Sequence, residues 1–140
     1  MGCYNSIVID APVEKVWSAF QNFHDMSAFP NVVEKLDKVG DIPGTDIGAK
    51  RVLNGVFRET LTYFNEADKN LRYTIDDGPG PLEGEKCQGY VGEVRLYPVT
   101  ENNGTFVVWS SDWDAGGEEV AEFCSPVYHA LLNDLKASMS

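Results

Sequence analysis

The chain has 140 residues, 43% of them hydrophobic and 24% charged, with 22 acidic residues against 11 basic ones and a formal charge of −11 at pH 7. That length suits one core, so residues 1–140 are read as a single domain, and the ordinary globular composition argues against disorder and repeats. A charge of this sign repels phosphate backbones and anionic lipid surfaces, which argues against nucleic acid as a partner.

No apolar run approaches the roughly 18 residues of a membrane span, and the chain does not open on a charged-then-apolar leader. The expectation is a cytoplasmic protein with no stable membrane insertion. Cys3, Cys87 and Cys124 are odd in number and form no CxxC pair, while His24 and His129 stand far apart. Neither a disulfide framework nor a metal site is expected, and no cofactor. MGCYNS at the start matches a loose acylation pattern; few of its positions are fixed and it runs straight into a strand, so the match is read as chance.

Cys3 to Asp10 alternates and contains Ile7, Val8 and Ile9, which predicts a first strand. In DAPVEKVWSAF, Pro12 suits a first helical turn, and Val13, Val16, Trp17 and Phe20 recur at helical spacing. A second short helical turn is expected between His24 and Asn31, ending at Pro30. VVEKLDKVG then reads as a strand.

Beyond IPGTDIG come the β segments AKRVLN, VFRETLTYFNEAD, NLRYTIDD, GYVGEVRLYPV and GTFVVWSSDWD. Asn54-Gly55, Asp68-Lys69-Asn70 and Asn102-Asn103-Gly104 are turn signals between them, so an antiparallel meander is expected. From Glu118 to Lys136 the residues Val120, Phe123, Cys124, Val127, Tyr128, Leu131, Leu132 and Leu135 make one helical stripe. Pro126 lies on its polar side with Glu122 and His129, and should bend that helix.

Period-two alternation assigns faces. Phe57, Glu59, Leu61 and Tyr63 share the inner side of their strand, opposite Phe64. Leu71, Tyr73 and Ile75 share the next, then Tyr90, Gly92, Val94 and Leu96, and in the last strand Val107, Trp109, Ser111 and Trp113. The fold class is α+β, an antiparallel sheet with a long helix laid on it.

Glu59 is the most informative residue, because a carboxylate on an inner face must be paired, protonated or reached by water. It is either a polar anchor or general acid/base of a pocket, or a buried carboxylate satisfied by Arg51 or Arg72. Trp109 and Trp113 are either plain core or pocket lining. Cys124 reads as inert core, and neither histidine is placed as a catalytic base. No GxSxG elbow or phosphate-cradling loop is present.

The order of strand, short helical pair, six-strand meander and long C-terminal helix resembles the START-like helix-grip superfamily. That group includes polyketide cyclase-like proteins, the birch-pollen-allergen group and the abscisic acid receptors. The resemblance rests on IDAPVEKVW, FRETLTYFNEADKNLRYTI, GYVGEVRLYP and TFVVWSSDWDAGGEE leading to VYHALLNDLK. It implies a curved sheet of about seven strands, two short helices after strand 1, and a cavity between sheet and last helix for an apolar or amphipathic small molecule. Carried onto this chain, it lines the cavity with Asn31, Glu59, Tyr73, Tyr90, Trp109 and Trp113, and with Phe123, Val127 and Leu131 from the helix. Leu61 and Ile75 stand beside them on the inner face. GPGPLEGEKCQG is longer than the usual link, and Asn54-Gly55 is tighter than the receptors' gating loop.

Three functions compete on this reading. The first is a carrier or sensor for a small hydrophobic ligand, working as a monomer or weak homodimer. The second is a cyclase, aromatase or isomerase in which Glu59 with Tyr73 or Tyr90 moves a proton. The third is an interaction module of the Hsp90 co-chaperone kind, which should display an exposed apolar patch.

Overall fold

The computed structural model describes residues 2–140; Met1, and with it the start of the acylation pattern, lies outside the described residues. Seven strands form one sheet: β1 (Gly2–Ile9), β2 (Leu36–Val39), β3 (Lys50–Leu53), β4 (Phe57–Asn65), β5 (Asn70–Asp77), β6 (Val91–Val99) and β7 (Gly104–Asp112). Their spatial order is β1-β7-β6-β5-β4-β3-β2, and every neighbouring pair is antiparallel. The long connection is the one from β1 to β2, at opposite edges. Short hairpins join β3 to β4, β4 to β5 and β6 to β7, while longer links of residues 40–49 and 78–90 join β2 to β3 and β5 to β6. At the β3–β4 turn Asn54 and Gly55 have φ of 53° and 72°, the two left-handed residues that a tight hairpin needs.

Helix α1 (Val13–Trp17) buries Val16 and Trp17, and α2 (Glu118–Ser138) runs two residues past the stretch its stripe predicts. Val120, Cys124, Tyr128, Leu131, Leu132 and Leu135 are its buried apolar residues, so the 3.6-residue period does set the face that meets the sheet. The helix continues through Pro126, which is exposed with Glu122 and His129.

Two expectations are corrected. The segment His24–Asn31 forms turns rather than a second short helix. Asn22 Oδ1 accepts from the His24 N–H and Asp25 Oδ1 from the Ser27 N–H, each at 2.9 Å, and such local side-chain bonds compete with helical ones. The other short helical pieces are 3-10 turns, Gly80–Leu82 and Gly84–Lys86, inside the long GPGPLEGEKCQG link.

The second correction is a reversal of faces. Between Leu61 and Tyr63 the β4–β5 register slips at a bulge: Leu61 pairs with Tyr73, whereas Tyr63 pairs with Arg72. One extra residue turns the following side chains over. Tyr63 therefore faces outward, with the Arg72 guanidinium 4.6 Å from its ring centre. Phe64 turns in, its ring 5.5 Å from that of Trp17.

Candidate functional site

Cross-strand pairing assembles the site. Arg51 on β3 is the direct partner of Glu59 on β4, which is in turn the partner of Ile75 on β5, and directly opposed side chains share one face of a sheet. Arg51 and Glu59 are each 5% exposed. Arg51 Nε and Nη2 reach the same carboxylate oxygen, Oε1, at 2.8 and 2.7 Å. Its Nη1 donates to the Phe23 carbonyl at 3.0 Å and to Met26 Sδ at 3.4 Å, and its guanidinium lies 3.7 Å from the centre of the Phe23 ring. The other oxygen, Oε2, receives no hydrogen bond from any described residue.

Burial pushes the Glu59 carboxyl above its ordinary range, and the neighbouring Arg51 charge and hydrogen bonds offset this only in part. The pair is thus a cation held in place by three protein groups and a carboxylate held by one of its two oxygens.

Beside this pair three phenols meet. Trp109 Nε1 donates to the Tyr73 hydroxyl at 2.9 Å, Tyr73 and Tyr128 hydroxyls lie 3.0 Å apart, and Tyr128 bonds in turn to Tyr90. The nearby Ser111 hydroxyl pairs with Cys3 Sγ at 2.8 Å. The Tyr73 ring lies over Gly92, its cross-strand partner, where any Cβ would collide with it. Burial raises the pKa of all three tyrosines, with the negative charge of Glu59 adding to the effect at Tyr73. They are neutral donors and acceptors at physiological pH. Burial also pushes the Cys124 thiol up to about 11, which leaves it protonated and inert.

These groups form one wall of a pocket with about 50 Å³ open to the centre of a water molecule. Glu59, Tyr73, Ile75, Tyr90 and Trp109 line it from the sheet, and Phe123, Val127 and Leu131 from α2. Partly exposed Val32, Val33 and Phe57 stand at the same pocket, next to Asn54. The Asn54 side chain holds this side together: its Oδ1 accepts from the Glu34 and Lys35 N–H groups at 2.8 and 3.2 Å, and its Nδ2 donates to the Val32 carbonyl at 2.8 Å.

Three residues expected at the cavity lie elsewhere. Asn31 is exposed; its backbone and side-chain N–H groups both bond the buried Asp134 of α2, at 2.8 and 2.7 Å, so it fastens the loop to the helix. Trp113 sits one residue beyond β7 and stacks on Tyr90, centroids 5.9 Å apart at 6°, and does not reach the pocket. Leu61 is 1% exposed in solid core. Conversely, Arg51 had stood only as one possible partner of Glu59, and Tyr128 and Met26 were not expected at the site. The α2 stripe carried the signal for Tyr128, one turn beyond Cys124; nothing local marks Met26.

The family model for polyketide cyclase / dehydrase and lipid transport matches residues 3–140. The chain belongs to that family. Among solved structures, the chain is similar to a protein from Nitrosospira multiformis, with 43% identity, TM-score 0.96, and 100% of this chain and 97% of that one covered. It shares its fold with the protein XoxI from Bacillus cereus, at 20% identity and TM-score 0.80 over 99% of this chain and 94% of that one. The fold is also that of major latex-like protein 151 from Panax ginseng, at 15% identity and TM-score 0.77 over 99% and 97%. No curated protein matches the chain. Among the described residues no helix is long and apolar enough to cross a membrane, and no group of side chains could hold a metal ion.

Proposed function

We propose that this family member binds one small amphipathic molecule between the sheet and α2, polar end inward, as a carrier or sensor. The observation that carries the reading is Glu59 Oε2, an acceptor without a donor on a residue 5% exposed, at the wall of a pocket whose other side is apolar. Oε2 keeps some accessible surface at the pocket; an acceptor on a largely desolvated carboxylate is poorly compensated without a donor, and a ligand donor or an ordered water would satisfy it.

The size of the pocket limits the ligand-free state. Its 50 Å³ is well under the roughly 150 Å³ of an apolar cavity that admits benzene. The head of a ligand fits as the pocket stands, and its tail would lie among Val32, Val33, Phe57, Phe123 and Val127, or displace the adaptable Met26 side chain. Native mass spectrometry of protein purified from its own host tests the reading. The expected result is a retained small molecule that is lost on denaturation. A bare chain that takes up no apolar alcohol or phenol at millimolar concentration would contradict it.

A second reading has its own support, since the raised Glu59 pKa and the adjoining hydroxyl chain are suited to proton transfer on a bound substrate. There Glu59→Gln would leave binding in place and lower turnover by roughly 10²–10⁴.

A further inference from the structure

We infer that the pocket selects a neutral hydrogen-bond donor, a hydroxyl or phenol head, and rejects a carboxylate, because its polar wall has acceptors to spare, few free donors and no uncompensated positive charge. The inference rests on the ligand-binding reading above.

A count of protons carries it. Of the five N–H groups of a guanidinium, Arg51 commits four: Nε and one on Nη2 to Glu59 Oε1, and two on Nη1 to the Phe23 carbonyl and Met26 Sδ. Each hydrogen bond between two phenols consumes one hydroxyl proton, whichever side gives it. The three tyrosines hold three such protons, and the Tyr73–Tyr128 and Tyr128–Tyr90 links use two of them. The third stays on whichever phenol stands last in the chain of donors. Trp109 spends its only N–H on Tyr73.

Beyond one N–H on Arg51 Nη2 and one phenol proton, what remains is acceptor capacity: Glu59 Oε2 and the second lone pairs of the phenols. A hydroxyl head donates into it. A carboxylate would bring a second negative charge against a buried pair that is already neutral as a whole, and could gain Arg51 only by displacing Glu59. Discrimination through an unpaired buried polar group exceeds that through shape alone.

Isothermal titration calorimetry at pH 8 with 1-octanol and octanoate tests this, since the two share one chain and differ in the head. The intact protein should bind 1-octanol at least about tenfold more tightly, the effect of one well-placed hydrogen bond. Glu59→Gln keeps the shape and leaves the guanidinium without a counter-charge, and octanoate should then gain about tenfold or more. Octanoate binding to the intact protein as tightly as 1-octanol overturns the inference while leaving a binding pocket in place. A Glu59→Gln chain that gains nothing for octanoate overturns it too, since the preference would then come from desolvating any carboxylate. If neither compound binds, the ligand-binding reading falls as well. The comparison on the intact protein stands whether or not Glu59→Gln folds.

Discussion

Trp109 stands between two halves of one inner face that are filled in opposite ways. On one side its ring meets Phe20 and Phe29 edge-on, at 5.5 and 5.8 Å, in a region where Trp17, Phe29, Val94 and Val107 are at most 1% exposed. On the other side it meets Tyr128 at 5.5 Å and the Arg51–Glu59 pair beyond. The same sheet underlies both halves. Apolar side chains have no preferred partner and interdigitate until the space is full. Polar ones must stay where their hydrogen bonds hold them, so they cannot collapse into a neighbouring void without leaving atoms unpaired. A pocket persists where the sequence places Arg51, Glu59 and the tyrosines, and closes where it places Trp17 and Phe29.

The sharpest way to break this contrast is to remove the cation. Arg51→Met leaves Glu59 buried without its partner and should cost about 3–5 kcal/mol at pH 8, read by urea unfolding. An unchanged midpoint would mean that the pair does not support this half. In the packed half, Phe29→Ala should cost about 3–5 kcal/mol by opening a true cavity. Phe123→Ala, whose partly exposed ring already borders the pocket, should cost roughly 1 kcal/mol or less. Equal losses from the two phenylalanines would erase the distinction.

Tyr128→Phe removes the central hydroxyl and leaves those of Tyr73 and Tyr90 one partner short, at about 1–2 kcal/mol. The smallest effect is a pH dependence. Glu59 has a folded-state pKa above its ordinary 4.5, so the native chain holds this proton in a range where the unfolded chain has released it. The resulting stability is fully present below the unfolded pKa and is lost as pH rises through the folded value. The intact protein should therefore lose stability relative to Glu59→Gln as pH rises from 4.5 upward, measured as the difference of their melting temperatures; a difference that grows in favour of the intact protein would reverse the sign and contradict it.

Much of this architecture is legible because it follows local periods. The stripe from Val120 to Leu135 specifies α2 and its buried face, and alternation puts Glu59, Tyr73 and Trp109 on one side of the sheet. The errors arise where a non-local event interrupts the period. A bulge after Leu61 exchanges Tyr63 for Phe64, and the Asx turns at Asn22 and Asp25 replace a short helix. Asn31 entered by resemblance rather than by period, and it is Asp134, 103 residues away, that decides its place. Strand register, which joins Arg51 to Glu59, is likewise a property of pairing and of no single segment. Trp113 keeps the inward parity of β7 but lies past the strand's end, where stacking on Tyr90 fixes it instead.

The space beside Trp109 should accept a ligand head while the packed half does not. The indole N–H signals of Trp17, Trp109 and Trp113 in a ¹⁵N-labelled chain, followed by NMR during titration with 1-octanol, test this most directly. Trp109 Nε1 bonds Tyr73 at the pocket wall, and Trp17 is 1% exposed in the packed half. The expected result is a saturable shift of the Trp109 signal, a smaller one at Trp113 behind Tyr90, and a Trp17 signal that stays in place. A Trp109 signal that does not move, or three signals that drift together without saturating, would contradict it.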